Sequence, residues 1–260
     1  MPETLSPSKM DRFTSCPLSF RYTYIDKIPE PLTQAQVKGT LTHKVLELLY
    51  AKEPELRTEE VAIEILDSVV SQESSSLEEV TGDEQEAESL VLEIGSLLHS
   101  YFVIEDPSAI HCRATELDIT GEIAGFKLRG IIDRLDLTEK NDLAIVDYKT
   151  GKAPGESFEK SKLNAVSIYA LLCELQFGQR PVEMRLVYLK NRISIIKLPT
   201  EQVMRATKSK IAAVAMAIQK ACENDDFRAR PSRLCPYCPH HNICPAFAHA
   251  ADNTPKTPFK

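Results

Sequence analysis

The chain has 260 residues, 43% of them hydrophobic, with 31 Lys and Arg against 38 Asp and Glu and a formal charge of −7. That length and apolar content fit one domain with a helical elaboration. Seven cysteines, an odd number spread over the whole chain, exclude a disulfide scaffold. No run of 18 or more apolar residues occurs, and the opening MPETLSPSK carries no apolar segment. The expectation is a cytoplasmic protein with no membrane association.

In chain order, Ser6 is a plausible N-cap for a short helix from Pro7 to Thr14. A longer helix follows over Val37–Ala51, then two acidic helices over about 58–78 and 83–103. Strand patterns run over about 110–120, 125–137 and 142–149, and a helix covers about 160–178. Two further strands, about 182–190 and 193–198, precede a final helix over about 200–224. Residues 248–260 read as a flexible tail. This order predicts an α/β core with a mixed sheet flanked by helices.

The most informative stretch is FKLRGIIDRLDLTEKNDLAIVDYK, from Phe126 to Lys149. Two apolar strand patterns each carry an acid where a buried sheet would ordinarily place Val or Ile: Asp133 in the first, Asp147 in the second. Side chains alternate faces along a strand, so Asp147 and Lys149 point one way and Tyr148 the other. If Thr138–Asp142 is a hairpin loop and Leu137 pairs with Leu143, Asp133 falls opposite Asp147. Facing carboxylates destabilise a sheet unless a cation sits between them, and hard divalent ions take oxygen ligands. The competing reading makes Asp133 a surface partner of Arg134 or Arg129, and Asp147–Lys149 a solvated ion pair. Both runs are otherwise strongly apolar, and burying an unpaired carboxylate is costly, which favours the metal site. Gly130, three residues before Asp133, suits a strand approached closely by a ligand.

Together KGTLTH (38–43), TELDI (115–119), RGIIDR (129–134), VDYKTG (146–151) and a four-cysteine set resemble the PD-(D/E)XK nuclease superfamily, in particular its RecB-like and CRISPR-adaptation branch. The resemblance implies a restriction-endonuclease-like core. It implies that His43, Asp133 and Asp147 hold Mg²⁺ or Mn²⁺, with the Tyr148 carbonyl as a further oxygen and Lys149 as the catalytic lysine. Glu116 matches a family glutamate, or is an edge-strand charge; His43 taken alone would read as a core histidine beside Leu41, Val45, Leu46 and Leu49. Tyr169 matches the tyrosine of a helix that normally reads Q-x-x-x-Y. Here the glutamine position holds Ala165, with Asn164 beside it. Such a site would hydrolyse phosphodiesters, the ion lowering the pKa of bound water and acting as a Lewis acid.

Cys235, Cys238 and Cys244 have metal-site spacing and lack a fourth ligand. His240 or His241 would complete a Cys₃His zinc site. Alternatively, Cys16 would complete a four-cysteine set, and the resemblance implies a [4Fe–4S] cluster that closes the 235–244 loop onto Cys16 within one nuclease domain spanning 1–247. Cys112, Cys173 and Cys222 read as ordinary buried thiols.

Charge is unevenly placed. Residues 53–106, an acidic helical insertion, hold 16 acids against Arg57 alone, about −15, so the remainder carries about +8. That insertion reads as a solvated face rather than a DNA contact. Residues 151–197 carry Lys152, Lys160, Lys162, Arg180, Arg185, Lys190, Arg192 and Lys197 against four glutamates, an excess suited to phosphates. No G-x-x-x-x-G-K-[ST] occurs, so unwinding would need a partner helicase. The resulting expectation is a metal-dependent DNA nuclease, an exonuclease on single-stranded or frayed ends, in repair or recombination and alongside a helicase or CRISPR-adaptation partner. The alternative is an inactive iron–sulfur DNA-binding subunit.

Overall fold

The computed structural model describes residues 1–153 and 156–247, and the side chains of all of these except 156–164. The expected tail 248–260 and the side chains of Lys160, Lys162 and Asn164 lie outside the described residues. The chain divides into two compact units. One comprises Met1–Pro31, Ile123–Lys127 and the C-terminal segment from Ser209; the other comprises Leu32–Glu122 and Leu128–Lys208.

In the first unit, helix α1 (Pro7–Ser15) starts as expected: Pro7 occupies its first turn and the Ser6 side chain accepts from the Lys9 amide. Cys16 is extended and breaks the helix. Pro17 opens the short α2 (Pro17–Phe20), which runs into a turn of π-helix over Arg21–Ile25. Neither was legible in the sequence. Phe20 is the aromatic centre, edge-on to Phe13 at 5.4 Å and stacked on Phe227 at 6.4 Å.

The second unit holds the helices α3 (Gln34–Tyr50), α4 (Glu59–Gln72), α5 (Ser74–Val80) and α6 (Glu84–Ile104). Thr33 and Gln36 form a reciprocal capping box that fixes where α3 begins. The expected 58–78 helix is interrupted at Glu73, after which the three serines Ser74–Ser76 start a separate helix. The acidic insertion is amphipathic, and its carboxylates mostly face solvent. Its Ile65, Leu66, Val69, Leu77, Leu90, Ile94, Leu98 and Tyr101 are buried with Val37, Leu41, Val45 and Leu49 of α3. They cover Val146 and Tyr148 of the sheet in one core cluster. The insertion is therefore a wall of the core as well as a solvated face. By length and mean hydropathy α6 would pass for a membrane span. A core helix of the same composition passes the same test, and α6 turns Leu90, Ile94, Leu97 and Leu98 into this cluster.

The five-stranded sheet has the order β1-β2-β3-β4-β5, from β1 (Cys112–Ile123), β2 (Phe126–Leu137), β3 (Leu143–Lys149), β4 (Glu183–Tyr188) and β5 (Ile193–Lys197). Ala124 and Gly125, both at positive φ, make the tight β1–β2 turn. β2 and β3 are antiparallel in the expected register, Leu137 against Leu143 through Arg134 against Val146. β3 and β4 are parallel, joined through α7 (Glu156–Phe177), and β4–β5 is antiparallel. This is the mixed, helix-flanked sheet of a restriction-endonuclease-like core, followed by α8 (Glu201–Asn224).

Candidate active site

Three ligand-type side chains converge in the second unit: His43 from α3, Glu116 from β1 and Asp133 from β2. One atom from each lies within 4.8 Å of the others. His43 Nδ1 is 3.5 Å from Asp133 Oδ2 and 3.9 Å from Glu116 Oε1. Ligands about 2.0–2.1 Å from an octahedral ion sit roughly 3 Å apart when cis and 4 Å when trans, so these separations fit one divalent cation.

Each side chain arrives for a local reason. α3 buries Val37, Leu41, Val45 and Leu49, and His43 falls off that apolar stripe. Glu116 has φ +45° in the middle of a strand, a left-handed conformation an L-residue rarely adopts and that costs about 1–3 kcal/mol. Strain of that kind in a residue that reaches the cluster is unlike the behaviour of a passive edge charge. Asp133 sits where the β2–β3 ladder ends, and its Oδ2 accepts the Tyr148 backbone N–H at 2.7 Å. Tyr148 thus meets the cluster through its amide.

Asp147 and Lys149 share one face of β3, as alternation requires. They are ion-paired through Asp147 Oδ2, and Asp147 is only 3% exposed. Asp147 lies outside the three-residue group. Burial, reinforced by the negative charge of Asp133, pushes its carboxyl up to about 6 against the pull of Lys149. Burial and Asp133 likewise raise Glu116. Burial opposes charge on His43 and Lys149, but the neighbouring acids outweigh it and both are raised, His43 through Asp133 and Lys149 through Asp147. Three carboxylates facing one lysine and one imidazole leave the site short of positive charge, a deficit that a divalent ion would supply.

The surface ion-pair reading of Asp133 does not fit. Arg129 pairs with Asp118 at 2.6 Å, while Arg134 is wholly buried and pairs with Asp136 and Glu105. Sequence reading missed that Arg134 is buried and paired within the fold. Its signal was an alternation: Arg134 and Asp136 share the strand face opposite Asp133, inside an apolar run. Tyr169 is half-buried on α7 and explains Gly130 differently. A Cβ at Gly130 would stand 2.6 Å from the Tyr169 ring, so an aromatic ring makes the close approach expected of a ligand.

In the first unit, Cys16, Cys235, Cys238 and Cys244 line one cavity of about 590 Å³. Backbone N–H groups of Arg230 and Ser232 donate to Cys16 Sγ at 3.5 Å and Cys235 Sγ at 3.2 Å. Among the described residues no three of these sulfurs lie within 4.8 Å of one another. A zinc site, with Zn–S near 2.3 Å, would hold them about 3.8 Å apart. His240 is buried, with Nε2 3.2 Å from both Glu30 Oε1 and Thr23 Oγ1, and so ties the loop rather than facing the thiols. His241 also lines the cavity.

Sheet order and ligand-type cluster together define a nuclease fold of the restriction-endonuclease type. The profile of the PD-(D/E)XK nuclease superfamily matches residues 4–245, and the chain belongs to that superfamily, whose nucleases use divalent metals. Gene 69 protein of Mycobacterium phage L5 is 25% identical over 137 residues, 52% of this chain and 45% of its own length. The match thus spans less than half of that curated relative. A crystal structure from Eubacterium rectale, of a protein provisionally named an exonuclease, has a TM-score of 0.57 over 99% of this chain and 91% of its own. At 12% identity that likeness concerns the fold alone.

Proposed function

We propose that the protein is a metal-dependent DNA exonuclease of the RecB-like branch, acting on single-stranded or frayed ends in repair or recombination, with a partner helicase or CRISPR-adaptation protein supplying unwinding. The observation that carries this reading is the His43–Glu116–Asp133 group beside the buried Asp147–Lys149 pair. His43, Glu116, Asp133 and Asp147 would hold Mg²⁺ or Mn²⁺, the imidazole tilting preference toward Mn²⁺. When bound, such an ion lowers the pKa of its water and neutralises phosphoryl oxygens. Lys149 orients the attacking water and offsets charge on the non-bridging oxygens as the P–O bond breaks. Asp147 keeps Lys149 protonated and aimed along the face of β3.

The four-cysteine cavity supports a [4Fe–4S] cluster as the structural staple of the first unit. All four thiols line that one cavity, and backbone N–H donors face two of them, Cys16 and Cys235. Incubating the protein with end-labelled single-stranded DNA and Mn²⁺, against Asp147→Ala, tests the catalytic reading. Metal-dependent release of mononucleotides or short fragments by the unmodified protein alone supports it. An intact substrate under those conditions overturns it.

A further inference from the structure

A buried cluster of charged and tyrosine side chains centred on Arg134 lies on the opposite face of the same two strands. Arg134, next to Asp133, has no exposed surface. Its Nη1 lies 2.6 Å from Tyr50 Oη, 3.2 Å from Tyr101 Oη, 2.8 Å from Glu105 Oε2 and 2.5 Å from Tyr148 Oη. Its Nε and Nη2 meet both oxygens of Asp136. The guanidinium also lies over the rings of Tyr50 and Tyr148, 4.7 and 5.5 Å from their centroids. Glu105 in turn accepts from Arg185 at 3.0 Å.

One member of this cage reaches both sides. Tyr148 stands between Asp147 and Lys149 in sequence; its hydroxyl is in the cage and its backbone N–H is bound by Asp133. Its ring meets the His43 ring edge-on at 6.0 Å. One residue thus touches two of the three clustered side chains and is covalently next to Asp147.

We propose that Arg134 is a positioning residue: by clamping the Tyr148 hydroxyl it fixes the strand end and ring that place Asp133, Asp147 and His43 around one cation. Arg suits this role because its rigid, permanently charged fork carries five donors in one plane and pairs bidentately with a carboxylate, where an ammonium offers three donors on a flexible stem. The cage belongs to the metal-site reading above and gives it a buried support.

The test measures Mn²⁺ binding by electron paramagnetic resonance of the free ion, on the full chain without DNA, beside thermal unfolding. Tyr148→Phe keeps the ring against His43 and removes only the cage hydroxyl. Tyr50→Phe removes an equivalent hydroxyl from the same guanidinium but lies outside the three-residue group. The expected result is Mn²⁺ affinity lowered about tenfold or more in Tyr148→Phe and Arg134→Lys, and within about twofold of the parent in Tyr50→Phe, even where the two tyrosine variants lose similar stability. A general structural role would move Tyr50→Phe and Tyr148→Phe together, and that result overturns the proposal. Parent-like affinity in folded Tyr148→Phe, with binding lost in Asp133→Ala, overturns the cage alone. No Mn²⁺ binding by the unmodified protein overturns the metal reading and the cage role with it.

Discussion

Asp133 Oδ2 and the backbone N–H of Tyr148 are 2.7 Å apart, so one carboxylate both closes the end of the β2–β3 ladder and faces His43. These two duties separate by mutation. Asp133→Asn retains an acceptor for the N–H and should stay folded while losing Mn²⁺ binding and cleavage. Asp133→Ala also leaves that part-buried N–H without an acceptor and should cost a further 1–3 kcal/mol or so. Thermal unfolding and Mn²⁺ titration of the pair check this, and equal stabilities would contradict the structural duty.

Asp147 gives the site a pH dependence of definite sign. Its folded-state carboxyl is raised to about 6, above an unfolded value near 3.9. Its contribution to the metal-free fold is therefore complete below about pH 4 and is lost as pH rises toward 6. Glu105, held below the usual carboxylate range by Arg134 despite its burial, works in the opposite direction under acid. The comparison with Asp147→Asn isolates the first effect. The parent's melting temperature should fall relative to the variant's between pH 4 and 6, and Mn²⁺ should raise it again at neutral pH in the parent only.

Lys149→Ala should reduce cleavage by 10²–10⁴-fold, the usual worth of a positioned general acid–base group. Mn²⁺ should still bind, because Lys149 is not a ligand. With its ion-pair partner gone, Asp147 should require a higher pH to ionise, so the metal titration of this variant should shift toward alkaline pH. Loss of metal binding at every pH would place Lys149 among the residues that build the site.

Much of the hairpin is legible in the sequence because local rules fix it. The polar loop Thr138–Asp142 sets the Leu137–Leu143 register, and alternation then sends Asp147 and Lys149 to one face. Glu116 is less legible: its reach depends on a positive φ at an ordinary residue, which no propensity announces. The inward packing of the acidic helices is hidden by their charge, although Ile65, Val69, Ile94 and Leu98 recur at helical spacing. Arg134 escaped because an arginine beside an aspartate resembles a surface pair until the tyrosines, from three distant segments, are brought around it.

The contact between Gly130 and Tyr169 is steric and should behave so. Gly130→Ala places a methyl 2.6 Å from the ring and should destabilise by about 1–3 kcal/mol. Adding Tyr169→Ala should make the glycine substitution nearly neutral, a coupling read from a double-mutant cycle of unfolding midpoints. Purely additive effects would mean the ring yields freely.

Anaerobically purified protein should be brown and carry about four irons and four sulfides per chain if the [4Fe–4S] reading holds. Cys238→Ser should lose the colour and lower the melting temperature, since binding energy at such a site is folding energy. Stoichiometric zinc in colourless protein would overturn the cluster assignment.

The helices that carry most of the negative charge also roof Val146 and Tyr148. A shortened enzyme made by cutting out residues 53–106 would therefore bare an oily face of the sheet and be expected to precipitate. Anyone wishing to soften the repulsion between this region and a polyanion would do better to exchange its outward glutamates one by one, leaving the inward leucines and isoleucines untouched.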